Sequence, residues 1–169
     1  EIVEVVDPYG NQSNVFCATT DDDQTDENYD GSYAITNVPV TDAKTYRMSV
    51  WVRMTHLVDG DEVDTYDTEQ GGRILFGSSP SPNISTLLDG SPTVQGWNSG
   101  WNFYPPINEW VLLVSYLHGE NSSLTRQESL GGCFSQNGER LFSFEDFKAV
   151  AGVTEQEMKF FYYGSSSNE

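Results

Sequence analysis

The chain has 169 residues, 37% hydrophobic and 13% aromatic, with 26 acidic residues against eight basic ones and a formal net charge of −18. That length fits one domain able to bury roughly 70% of its unfolded surface, so neither a metal nor a disulfide is required merely to build a core. The charge balance excludes nucleic acid, which needs a basic footprint, and disfavours an anionic membrane surface; no apolar run reaches the roughly 18 residues that read as a membrane-spanning helix.

In chain order the signals are those of short strands. Ile2–Val6 alternates weakly and stops at Asp7-Pro8-Tyr9-Gly10, a turn. Asn14–Thr20 is a short apolar run, followed by an acid-rich loop over 21–31. Ser32–Val38 is a strand stopped by Pro39. The clearest alternation lies between Thr45 and Met54. Tyr46, Met48, Val50, Val52 and Met54 point one way; Arg47, Ser49, Trp51 and Arg53 point the other, as in an antiparallel sheet with one wet face. A second acidic loop occupies 58–72. Arg73–Gly77 and Ile84–Leu88 are short strands, the latter ending on the turn pair Asp89-Gly90.

Residues 96–106 form an aromatic, glycine-rich stretch read as a loop. Trp110–His118 is so continuously apolar that it should be a central strand covered on both faces. Cys133–Phe134 and Glu139–Phe144 flank Asn137-Gly138, a hairpin signal. Ser143–Val150 is assigned one or two helical turns capped by Ser143, and Met158–Tyr163 a closing aromatic strand. Eight to ten strands with almost no helix predict an all-β, antiparallel two-sheet β-sandwich of jelly-roll type, a single domain over 1–169.

The order of segments resembles a family. Asp30-Gly-Ser-Tyr33, Val38-Pro-Val40, Lys44-Thr-Tyr-Arg-Met-Ser-Val-Trp-Val-Arg53, Ile74-Leu-Phe-Gly77, Leu88-Asp-Gly90, Trp110–His118, Phe144-Glu-Asp-Phe-Lys148 and Phe160-Phe-Tyr-Tyr163 are similar in kind and order to a domain of phage tail-fibre and marine bacterial surface proteins. These are concanavalin A-like, or LamG-like, jelly rolls. The resemblance implies an extracellular, cell-surface or virion-associated recognition domain and does not imply catalysis, since a shared fold does not fix function. The chain departs from the family in its longer acidic loop at 58–72 and in lacking the terminal strand that follows the Tyr-Tyr segment. The expectation is therefore either a trimmed last strand or a covered edge, the edge beside Met158–Tyr163 being paired by Ile2–Val6, by a downstream segment or by another subunit.

Three constellations could carry chemistry. Asp26-Glu-Asn28-Tyr-Asp30-Gly31 matches the first half of a calcium loop, in which alternate oxygens converge on a hard cation; Ser32 would add its carbonyl and Asp23 is a nearby donor. The alternative is a solvated acidic loop. Glu62-Val-Asp64-Thr-Tyr-Asp67 nearly matches the E-x-D-x-x-E strand of laminarinase-like retaining glycosidases, but Asp67 replaces the second Glu and the segment lies among turns, so a glycosidase is the least favoured reading. Trp97, Trp101 and Tyr104, with Asn98 and Asn102 between them, offer flat rings for sugar faces and amides for hydroxyls. The alternative is that Trp97 or Trp101 plugs the end of the core. Trp51 and Trp110 are expected to be structural, and His118 to make one hydrogen bond at the rim of the core.

Cys17 and Cys133 could form one long-loop disulfide or remain two buried thiols. With only two histidines and no C-x-x-C, the sequence argues against a zinc site. The sequence thus predicts a non-catalytic recognition module for glycan or polysaccharide, with calcium as its cofactor. The rival reading is a structural subunit of a virion fibre or extracellular filament, with neighbouring subunits as partners.

Overall fold

The computed structural model describes residues 2–17, 31–58, 61–63, 73–78, 85–91, 100–103 and 105–163. Among them lie fourteen strands: β1 (Ile2–Val6), β2 (Gln12–Phe16), β3 (Gly31–Pro39), β4 (Tyr46–Arg53), β5 (His56–Val58), β6 (Asp61–Val63), β7 (Arg73–Ser78), β8 (Ser85–Leu87), β9 (Gly100–Phe103), β10 (Trp110–His118), β11 (Gly132–Ser135), β12 (Arg140–Ser143), β13 (Phe147–Ala149) and β14 (Glu155–Tyr163). The one helical piece among the described residues is a 3-10 turn at Arg126–Glu128. The fold is the all-β sandwich that the alternation predicts.

One sheet has six strands in the order β12-β11-β10-β13-β8, with β4 on the other edge of β10; the opposing sheet has four, in the order β3-β14-β7-β9. β10 is the spine. It runs antiparallel to β4 along Trp110–Leu117, and on its far side it pairs first with β11 and then, at Leu117 and His118, in parallel with β13. The register sends Val111, Leu113, Ser115 and Leu117 to the same side as Val52, Val50, Met48 and Tyr46. This is the inner face. Val111 and Leu113 are fully buried with Met54, Cys133 and Phe144, and Phe160 of the opposing sheet packs on them. Leu117, Phe147, Ala149 and Val40 form the second half of the core. Each such Leu or Val contributes about 1.5–3 kcal/mol by leaving water.

Turn chemistry follows the sequence closely. Gly138 (φ +82) closes β11 onto β12, and Gly90 (φ +83) follows β8, both in the left-handed region that asks for glycine.

Several expectations are corrected. Ser143–Val150 is not helical: Phe147 and Ala149 are buried and Lys148 between them is half-buried, the period-two pattern of β13. Met158–Tyr163 is not an edge. β14 lies between β3 and β7 and hydrogen-bonds to both, so it needs neither Ile2–Val6 nor a further subunit. Ile2–Val6 pairs with β2 in a separate two-stranded sheet. The acidic stretch at 58–72 holds part of a second small hairpin, β5–β6. The 96–106 stretch is not all loop, because β9 pairs with β7, with an irregularity in register between Ile74 and Phe76.

Candidate functional site

The N-terminal hairpin is built around one carboxylate. Asp7 Oδ1 accepts the backbone N–H of Tyr9 (2.8 Å) and of Asn11 (2.9 Å), and Oδ2 accepts the Ser13 hydroxyl (2.9 Å). The backbone N–H of Asp7 donates to the Asn11 carbonyl at 2.8 Å, closing the loop between β1 and β2. These bonds, led by the Asn11 N–H, hold the Asp7 carboxyl below the ordinary aspartate range. Gly10 supplies a φ of +86.

The turn is docked on the outer face of the six-stranded sheet. Arg53, Trp51, Ser49 and Arg47 share that face with Trp110, Leu112, Val114 and Tyr116 across the β4–β10 register. Two indoles reach up from it. Trp110 Nε1 donates to the Val6 carbonyl at 2.9 Å, and Trp51 Nε1 donates to the Tyr9 hydroxyl at 3.0 Å. Gln136, in the β11–β12 turn, donates Nε2 to the Pro8 carbonyl at 3.0 Å. Both indole N–H groups are thereby satisfied, as half-buried tryptophans require. Tyr9 is 73% exposed, and its ring centroid lies 6.0 Å from that of Trp51 with the ring planes at 82°.

Pro8 and Gly10 of the same turn line an open groove of about 690 Å³. The hairpin supplies Val5, Val6, Asp7 and Pro8 to one wall; the sheet and its loops supply Arg53, Asn108, Trp110 and Gln136 to the other. Arg53 Nε donates to the Asn108 carbonyl at 3.3 Å. Asn108 itself has a φ of 61, a left-handed conformation that asparagine tolerates, and its N–H donates to the Met54 carbonyl at 2.8 Å. The groove thus has the fixed turn on one side and Arg53, Asn108, Trp110 and Gln136 on the other. It contains one carboxylate, and the oxygens of that carboxylate hold the turn together.

Trp51 and Trp110 are structural, as expected, but they stand on the outer face and anchor the hairpin. Sequence reasoning missed Tyr9. The signal available was the outward position of Trp51 in the β4 alternation together with an aromatic in the Asp7–Gly10 turn; their contact, spanning 42 positions, had none. Of the residues singled out from the sequence, Trp101 and Asn102 lie on β9, whereas Trp97, Asn98 and Tyr104 lie outside the described residues. Ser32 lies on β3, paired with Tyr162; Asp23, Asp26, Asn28 and Asp30 lie outside the described residues. Glu62 lies on β6 opposite Leu57, and Asp64 and Asp67 lie outside. Among the described residues no group of three His, Cys, Asp or Glu side chains could hold a metal ion.

The remaining buried polar cluster, His118 with Asp146, is sealed from solvent, at 5% and 0% side-chain exposure. Cys133 is a free thiol, fully buried, and burial pushes it up to about 12. No family model, curated protein or solved structure matches the chain.

Proposed function

We propose that the domain is a non-catalytic recognition module, acting outside the cell or on a virion surface, that binds glycan at the seam between the N-terminal hairpin and the six-stranded sheet. The observation that carries this reading is Tyr9: a residue left 73% exposed and yet fixed through its hydroxyl by Trp51, in the turn whose Pro8 and Gly10 line an open groove. An exposed aromatic is ordinarily disfavoured and mobile; one held in place loses little entropy on binding and offers a flat apolar face to a sugar ring. The sequence resemblance to concanavalin A-like jelly rolls of tail-fibre and surface proteins supports the same reading.

A glycan array probed with the domain and with Tyr9→Ala tests it. Signal on at least one glycan class, reduced in the variant, is the expected outcome; a blank array in the presence of calcium would overturn the proposal.

A second reading, a structural subunit of a fibre or filament, is favoured by the hairpin's other face, where Ile2 (67%), Val6 (54%) and Phe16 (71%) stand exposed. Ordered assemblies in concentrated solution, seen by electron microscopy and abolished by Phe16→Ser, would favour it.

A further inference from the structure

We infer that the outer face of the six-stranded sheet holds a second site, at the end remote from the hairpin, and that it takes a carboxylate-bearing polysaccharide, a polyuronate, between Arg47 and Lys148. This shares with the reading above only the class of ligand; the residues are different.

The register assembles the site. On β10, Tyr116 lies opposite Arg47 of β4, and His118 lies opposite Lys148 of β13. This is the outer face, because the alternate positions Tyr46, Leu117 and Phe147 all enter the inner core. Tyr116 stacks on His118, with ring centroids 5.7 Å apart and planes at 19°. His118 is buried and bonded to Asp146, so a fixed neighbour backs the Tyr116 ring. Ser49, exposed on β4, and Thr86, opposite Lys148 on β8, bring hydroxyls to the two flanks. Two strand spacings across and two residues along separate Arg47 from Lys148, roughly 12 Å between Cα atoms. Tyr116 stands about 20 Å along β10 from Trp110, where the hairpin docks.

Charge then selects the ligand. With 26 acids to eight bases, a base has carboxylates in excess to pair with. Arg126 takes Glu145 and Lys159 takes Glu157, whereas Arg47 and Lys148 make no ion pair or side-chain hydrogen bond among the described residues. Arg47 is exposed and Lys148 half-buried, and the acids nearest Lys148 in sequence are committed, Asp146 to His118 and Glu145 to Arg126. At physiological ionic strength a charge is screened within about 8 Å. An anion on this face therefore meets two unpaired cations before it meets the −18 of the whole molecule. A polyuronate carries one carboxylate on each otherwise hydroxylated ring. Two separated bases can each give such a carboxylate a charge-assisted hydrogen bond, with the Tyr116 ring between them for an apolar sugar face. A heavily sulfated polymer brings more anions than two bases can meet, and the remainder face an acidic molecule. An acidic segment of a second copy would bring that copy's own −18 with it.

The test is a calorimetric titration of the full chain with three probes: oligouronates cut from polygalacturonate and from alginate, neutral oligosaccharides, and heparin. The expected result is binding of an oligouronate series that weakens as salt is raised. The double variant Arg47→Gln, Lys148→Gln should lower that affinity by about tenfold or more, through two lost charge-assisted contacts. Arg47→Gln alone, at an exposed position, should give part of the loss, and it decides the matter if circular dichroism shows the double variant misfolded. Uronate binding indifferent to these variants, or lost instead in Tyr9→Ala, overturns the inference, as does heparin bound in preference to oligouronates. Association between copies, seen by sedimentation and abolished by the same substitutions, also overturns it, since the partner is then an acidic protein surface. Binding of neutral glycans alone, lost in Tyr9→Ala, overturns this inference and leaves the hairpin seam standing. Uronate binding lost in the Arg47 variant, with Tyr9→Ala affecting no glycan, supports this inference and removes the seam. No binding of any probe overturns both.

Discussion

The Asp146 carboxylate lies 2.9 Å from His118 Nε2, at the point where β10 changes partners from β11 to β13. The same carboxylate accepts the backbone N–H groups of Leu130 (2.7 Å) and Gly131 (2.9 Å), and the Asp146 N–H donates to the Ser129 hydroxyl at 3.2 Å. A sheet edge cannot serve two strands at once, so the chain must leave and return at this fork. The departing backbone would expose N–H groups to a dry interior, and Asp146 meets them. Gly131 makes the approach feasible: a Cβ there would sit 2.7 Å from Asp146 Oδ1 and 3.0 Å from the Val114 carbonyl.

Asp146→Ala should therefore destabilise the domain severely, by about 3–5 kcal/mol, the range for breaking a buried pair and stranding its donors. Chemical denaturation measures it. A loss under about 1 kcal/mol would mean that the fork holds without its carboxylate. Gly131→Ala should destabilise in the same direction through the two close approaches.

How much of this was legible in the sequence divides along range. The β4 alternation, the continuous apolar run of β10 and the Asn137-Gly138 turn depend on neighbours within a few residues, and each is where the pattern placed it. The Asp146 fork misled the reading. Ser143 followed by an acidic pair resembles a helix cap, yet Asp146 is committed to backbone 15 and 16 residues upstream, which fixes an extended chain instead. β14 looked like an edge because its last residues stand near the end of the chain; its central place depends on β3 and β7, 80 or more positions earlier. The same limit hid the seam, since Tyr9 meets Trp51 only after the sheet has formed.

Cys133 provides a second prediction. Its side chain is fully buried in the inner core, and burial holds the thiol up at about 12, so almost none is thiolate at neutral pH. Thiol titration of the native protein should leave Cys133 unmodified and reach it only on unfolding, with mass spectrometry identifying the site. A raised folded-state value means that this contribution to stability is present below the unfolded value, near 9, and is lost as pH rises toward 12. Ready modification of Cys133 in the native state would contradict the packing around it.

Calcium at Asp26, Asn28 and Asp30, with Asp23 and Ser32, is a proposal resting on the spacing of those oxygens. A cation bound only to the folded state stabilises by mass action, about 2.7 kcal/mol at a hundredfold excess over its dissociation constant. Stripping the protein with chelator should lower the melting temperature, and returning calcium, but not an equal ionic strength of sodium, should restore it. A melting curve indifferent to chelation, with metal content verified, would leave the segment as a solvated acidic loop.

The hairpin should answer to acid through Asp7. Its carboxyl is held below the ordinary aspartate value of 3.8, first by the Asn11 N–H and then by Ser13 and Tyr9. A depressed folded-state value means that the turn's contribution is complete above the unfolded value and is lost as pH falls through the folded one. The window therefore opens near pH 4 and extends downward; nothing should change between neutrality and that point. Because Tyr9 is positioned by this turn and receives the Trp51 indole N–H, the two events should be coupled. In a titration followed by nuclear magnetic resonance, the amide signals of Tyr9 and Asn11 should shift with a midpoint below 3.8, and the Trp51 indole signal should move with them. Asp7→Asn should abolish the midpoint and leave the Trp51 signal at its low-pH position throughout. If the indole instead stays fixed while the amides titrate, the docking of Tyr9 is independent of the turn, and the ring is held by the sheet alone.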